Sequence, residues 1–160
     1  MGLYPKMKWG RLFRTMKRIL LVDDIIDVQS LVAGLLRNTG AHIDAASNGN
    51  EASKLLATHQ YDLVITDLNM PVEDGFSIIY KLRNTISGVR DVPIIVITAG
   101  NTFSVARGLD YNKSIEEITK INKLKILKKP FSKHQLLEMV CESFEMNYKR
   151  DEELWLGDAW

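Results

Sequence analysis

The sequence has a single cysteine, Cys141, so no disulfide can form within the chain. That residue reads as a buried thiol on a helix. No apolar run approaches the roughly 18 residues that a membrane-spanning helix needs. An excess of charge of one sign is also missing. The formal net charge is +1 over 160 residues, which gives no global field toward nucleic acid or a membrane surface. The basic N-terminus lacks the apolar stretch and small-residue cleavage site of a signal peptide. No glycine-rich loop follows the first apolar strand, which argues against a nucleotide or flavin site. What remains is an ordinary globular composition, 46% hydrophobic and 26% charged. The chain therefore reads as a cytoplasmic protein with one domain, long enough to bury a proper core.

Charge is unevenly spread. Residues 1–18 carry Lys6, Lys8, Arg11, Arg14, Lys17 and Arg18 and no acid. Residues 151–160 are acidic and hold Trp155 and Trp160. A body over 17–146 is thus flanked by a basic extension, 1–16, and an acidic tail, 147–160. The extension reads either as an amphipathic contact segment or as a leader, its first residues coming from an over-extended gene start. The tail is expected either to cap the body or to dock on a partner through its tryptophans.

The body alternates strand and helix. Ile19-Leu20-Leu21-Val22 is an apolar run that ends in Asp23-Asp24. Ile25, Val28, Leu31, Val32, Leu35 and Leu36 then follow at helical spacing, with Gly40 as a stop. A strand is expected over Ala41 to Ala45 and a helix over Glu51 to Leu56. Leu63-Val64-Ile65 leads into Asp67 as a third strand. Phe76, Ile79, Tyr80 and Leu82 mark the next helix, and Pro93 to Ile97 forms a fourth strand ending at Thr98. Residues 100–112 read as a long loop before a helix at Ser114, with Ile115, Ile118 and Ile121 on one face. Lys123 to Leu127 is the fifth strand, and Ser132 with Gln135 forms a capping box for the last helix. Five such units in series imply an α/β fold: a doubly wound parallel sheet with helices on both faces.

In a parallel sheet all strands end on the same edge, where ligands bind. Asp23, Asp24, Asp67, Thr98 and Lys129 are therefore expected in one crevice. Close carboxylates repel unless a cation sits among them. An all-oxygen site with few protein ligands suits Mg²⁺. Lys129 adds a compact positive charge. Such a site can accept a phosphoryl group on a carboxylate oxygen. A lone Asp at a strand end is usually a turn or cap residue, and Asp74 before Gly75 is read as a helix N-cap. Four matched strand ends set the others apart.

With those residues in place, the sequence resembles the receiver domain of bacterial two-component response regulators. The motifs are "ILLVDD" (19–24), "DLVITDLNMPVEDG" (62–75), "PIIVITA" (93–99) and "KKPF" (128–131). The resemblance implies a flavodoxin-like five-stranded sheet. It implies that Asp67 is the phosphoacceptor. Asp24, Asp67 and the backbone carbonyl of Asn69 would ligate Mg²⁺, and Asp23 would hold a metal-bound water. Lys129 would contact the phosphoryl group, with Lys128 a solvated neighbour. Thr98 would swing toward a phosphoryl oxygen, so that the change is felt at the fifth strand and the helix before it. Three features depart from the family pattern. Ile126 stands where many receivers carry a switching aromatic, Asn122-Lys123 replaces the usual Gly-Ala, and the segment after Thr98 is longer.

The resemblance also implies partners: a histidine kinase or histidine-phosphotransfer protein as donor, and an output protein. About 15 residues follow the last helix, too few for a DNA-binding or catalytic module, so a stand-alone receiver is expected. His42, His59 and His134 read as solvated polar positions rather than phosphotransfer histidines. Two rival readings compete: a pseudo-receiver, which the intact acids and lysine argue against, and a phosphatase with an Asp nucleophile. Such phosphatases place nucleophile and second acid two residues apart after the first strand, a spacing that Asp23-Asp24-Ile25-Ile26 does not offer.

Overall fold

The computed structural model describes residues 16–70, 75–84, 91–99 and 119–145. Five strands form one sheet: β1 (Arg18–Val22), β2 (His42–Ala46), β3 (Leu63–Asp67), β4 (Ile94–Thr98) and β5 (Leu124–Lys128). The order is β2-β1-β3-β4-β5 and every pairing is parallel. The helices described are α1 (Ile26–Leu36), α2 (Gly49–Thr58), α3 (Gly75–Asn84) and α4 (Lys133–Ser143), with a 3-10 turn at Arg37–Thr39. This is the doubly wound order expected, with its reversal between β1 and β3. β2 and β5 each lie one residue later than the apolar pattern places them. The loop expected at 100–112, most of the helix expected from Ser114, the Asp74 cap, residues 1–15 of the basic extension and the acidic tail fall outside the described residues, and Ile121, expected on that helix, lies just past its end.

β1, β3 and β4 are covered on both faces, which is why their sequences read as unbroken apolar runs. On one side Leu20, Val22, Val64, Ile94 and Val96 pack against Ala52 and Leu56 of α2 and Ile78, Ile79 and Leu82 of α3. On the other, Ile19, Leu21, Leu63, Ile65, Ile95 and Ile97 meet Val32 and Leu36 of α1 and Leu136, Leu137 and Val140 of α4. Cys141 is buried on α4, as expected.

Three apolar residues assigned to helix faces are not buried. Ile25, Leu31 and Tyr80 are 49%, 58% and 68% exposed. Ile25 is the residue before α1, not a member of it. Leu31 sits about 100° around the helix from Val32, which faces the sheet. Tyr80 lies two positions from Ile78, on the far side of α3.

Caps fix the helix ends. Asn48 Oδ1 accepts from the Glu51 amide at 2.9 Å, and Glu51 reaches back to the Ser47 amide at 2.8 Å. Ser132 and Gln135 form the expected box: Ser132 Oγ accepts from the Gln135 amide at 3.2 Å, and Gln135 Oε1 from the Ser132 amide at 2.8 Å. Gly40 ends the first helical segment with φ of 74°, the left-handed region where glycine fits best.

Facing α2 on the outer strand, Asp44 gathers three partners. Arg18 Nε donates at 2.6 Å, the Tyr61 hydroxyl donates at 2.9 Å, and His42 Nε2 lies at 3.1 Å. Burial pushes the Asp44 carboxyl up, but the hydrogen bonds from Arg18, Tyr61 and His42 outweigh it and hold it down at about 2. Burial and the Asp44 bond push the Tyr61 hydroxyl up to about 12.

Candidate functional site

Strand register brings the chemistry together. Val22 is level with Thr66, Asp67 with Ile97, and Thr98 with Lys128. Backbone pairing then continues past the strands: the Asp23 amide donates to Ala46 at 3.1 Å and the Lys129 amide to Thr98 at 2.8 Å. Asp23, Asp67, Thr98 and Lys129 therefore meet at the carboxyl edge, beside the reversal of strand order.

The two innermost acids are held in the same way. Asp67 Oδ1 accepts from the Asn69 amide at 2.7 Å, and Asp23 Oδ1 from the Ile25 amide at 2.8 Å. Each is a turn closed by the amide two residues on. That leaves Oδ2 of each acid facing one ammonium. Lys129 Nζ lies 2.7 Å from Asp67 Oδ2 and 3.9 Å from Asp23 Oδ2.

Asp23 is 2% exposed and Asp67 is 4% exposed, so the pair is desolvated as well as crowded. Burial pushes the Asp23 carboxyl up to about 6, and the charges of Asp67 and Asp24 push the same way. The Ile25 amide and Lys129 oppose the shift without cancelling it. Thr98 is fully buried at the end of β4. Lys128 is exposed, as expected of a solvated neighbour.

A divalent ion fits this donor set. Asp24 Oδ1 and Asn69 Oδ1 are buried and without a hydrogen-bond partner. All nearby side-chain donors are oxygens, and the surplus of negative charge already disfavours ionised Asp23. Among the described residues no three His, Cys, Asp or Glu side chains converge to hold a metal by themselves. An ion here would draw on Asp24, Asp67, the Asn69 carbonyl and water, a coordination that suits Mg²⁺.

The histidines stay apart from this cluster. His42 opens β2 beside Asp44, His59 ends α2 with Nδ1 2.8 Å from the Thr58 hydroxyl, and His134 lies in the first turn of α4. Ile126 is partly buried and packs toward α2 and α3. One residue at the site escaped the sequence reading. Gln29 Nε2 donates to the carbonyls of Asp23 at 2.6 Å and Ala46 at 3.1 Å. The signal was there: Gln29 shares the i, i+3, i+7 stripe of Val32 and Leu36, an odd place for an amide.

The chain matches the response regulator receiver domain family over residues 19–141. It is similar to a probable transcriptional regulator, ycf29, of Porphyra purpurea, 30% identical over 123 residues, 76% of this chain and 54% of that protein. It spans smaller shares, 12% and 31%, of two further curated relatives. The fold is similar to the chemotaxis response regulator CheY4 of Vibrio cholerae, 29% identical with a TM-score of 0.66, covering 81% of this chain and 99% of that one. It is also similar to the receiver domain of a sensor histidine kinase of Pseudomonas aeruginosa, 26% identical with a TM-score of 0.66 over 82% of this chain and 99% of that one. That structure has a magnesium ion coordinated in its active-site cleft.

Proposed function

Because this chain belongs to the response regulator receiver family, we propose that it is a response regulator receiver whose Asp67 is the phosphoacceptor. The donor is a histidine kinase or a histidine-phosphotransfer protein. The product is an aspartyl phosphate that alters the surface offered to an output protein, in the cytoplasm. The receiver unit runs over 17–146. One observation carries the reading: Lys129 bridges the buried carboxylates of Asp67 and Asp23 at the edge where the strand order reverses.

The chemistry follows from the contacts. A carboxylate oxygen of Asp67 bonds to phosphorus as the donor's P–N bond breaks, and the electron pair leaves on the imidazole nitrogen. Lys129 is already in place to follow charge from the carboxylate onto the phosphoryl oxygens. The Asn69 amide holds Oδ1, so the acceptor cannot rotate freely. Asp24, Asp67 and the Asn69 carbonyl would hold Mg²⁺, with Asp23 on a bound water. When bound, the ion neutralises phosphoryl oxygens and relieves the repulsion between the acids. Thr98 would reach a phosphoryl oxygen and pass the change to β5. With Ile126 in place of an aromatic, no aromatic flip can occur at that position. Turnover beyond slow self-hydrolysis of the acyl phosphate is not expected.

Intact mass after incubation with Mg²⁺ and acetyl phosphate tests the reading. A gain of one phosphate that is lost without Mg²⁺ and lost in Asp67→Asn supports it. No gain in the wild type would favour a pseudo-receiver. Steady release of phosphate over many turnovers would favour the phosphatase.

A further inference from the structure

We propose that Gln29 is a positioning residue that aims Asp24, and with it the metal-binding acids. The inference rests on the receiver reading above. Gln29 stands in α1, and its amide NH₂ has two hydrogens to give. They go to the carbonyls of Asp23, at 2.6 Å, and Ala46, at 3.1 Å. The Ser47 hydroxyl lies further off at 3.4 Å. The Ala46 carbonyl also accepts the Asp23 amide at 3.1 Å. A closed ring results, from the Asp23 amide to Ala46, to the Gln29 amide, and back to the Asp23 carbonyl.

That ring fixes both backbone polar groups of Asp23, while the Ile25 amide fixes its side chain. The Asp23 carbonyl belongs to the peptide plane that begins Asp24. A planar peptide held at its oxygen fixes where the N and Cα of the next residue lie, leaving that residue only its own φ and side-chain torsions. This matters because Asp24 Oδ1 is buried and has no hydrogen bond of its own. Its aim therefore depends on the backbone that carries it, which Gln29 holds at the Asp23 carbonyl. The same ring ties the site to the turn after β2, where Ser47 and Asn48 begin α2.

The expected behaviour is that of an outer-shell partner of a metal site. Loss of such a partner weakens metal affinity by about 10–100-fold. Gln29→Met keeps the length of the side chain and removes both donors. Gln29→Asn is shorter and can reach one carbonyl at most. The measurements are the Mg²⁺ dissociation constant by titration calorimetry, the urea midpoint without metal, and phosphoryl uptake from acetyl phosphate over a range of Mg²⁺.

In Gln29→Met the dissociation constant should rise by about tenfold or more. Uptake should recover when Mg²⁺ is raised to saturation. Gln29→Asn should fall between, which keeps the test alive if Gln29→Met does not fold. A constant unchanged in both Gln29→Met and Gln29→Asn, whatever happens to the urea midpoint, would leave Gln29 a purely structural residue and overturn the proposal. If the wild type itself binds no Mg²⁺, the receiver reading fails and takes this inference with it. The two failures are thus distinguished by the wild-type titration.

Discussion

Lys129 donates to Asp67 at 2.7 Å across 62 positions of sequence. The bond closes the space between β3 and the turn after β5. Without it, two desolvated carboxylates face each other with no cation between. Lys129→Met should lose about 2 kcal/mol of stability, the scale of a hydrogen bond to a charged group. Phosphoryl uptake from acetyl phosphate should slow on the order of 100-fold, as when a fixed donor to a developing charge is removed. Urea melts and intact-mass time courses measure the two effects. Uptake at the wild-type rate would remove Lys129 from the chemistry.

Asp23 should give stability an unusual slope with pH. Its folded carboxyl titrates at about 6, above its ordinary 3.8. Below about pH 4 both folded and unfolded chains are protonated and the contribution is complete. As pH rises, the unfolded chain ionises first, so stability falls until the folded group ionises near 6. The loss is about 3 kcal/mol at 1.36 kcal/mol per unit. Urea midpoints from pH 4 to 7 without metal should show this fall, and Asp23→Asn should flatten it. Added Mg²⁺ should reverse it at the upper end, because a cation favours the ionised acid.

The Asp44 carboxyl should behave in the opposite sense. A carboxyl held down at about 2 lends stability above its ordinary pKa and loses it as pH falls through the folded value. The window is about pH 4 down to 2. Tyr61, pushed up to about 12, contributes fully below its ordinary pKa of 10 and loses its contribution as pH rises toward 12. Tyr61→Phe removes one donor from Asp44 and should cost about 1 kcal/mol near neutral pH. It should also shift the acid transition upward. Acid and alkaline unfolding curves of the variant and wild type decide the matter.

The two helix caps differ in their distance along the chain from the ammonium. Ser132→Ala and Asn48→Ala should each cost about 1 kcal/mol. Only Ser132 lies close in sequence to Lys129, so its loss should also loosen the turn that carries the ammonium. Hydrogen exchange at the amides after Lys129 should speed up in Ser132→Ala and stay unchanged in Asn48→Ala.

The strands were legible because β1, β3 and β4 are buried on both faces and so spell unbroken apolar runs. The edge strands β2 and β5 were shifted by one residue, since half-exposed strands carry a weaker pattern. The convergence of Asp23, Asp67, Thr98 and Lys129 was legible because parallel strands share an edge. The exposed Leu31 and Tyr80 were not. Spacing places residues on a helix, but which side is covered depends on its neighbours. Gln29 was missed for a related reason: its partners are main-chain carbonyls, which leave no letter in a sequence. The cluster of Arg18, Asp44 and Tyr61 is invisible for another reason, since its members come from β1, β2 and the turn before β3, far apart in sequence.

β3 is paired on both sides, and each of its five residues is buried. Asp67 is thus the last letter of a line held on both sides and covered on both faces. A mark written there cannot be displayed by moving the page. If Asp67 is phosphorylated as proposed, whatever reads the mark must watch the margins, where Lys129 reaches in from the turn after β5 and Thr98 closes β4. Whatever erases it must come in past them, because only 4% of Asp67 is open to water. The lifetime of such a mark would then be set by the side chains around it more than by the bond itself.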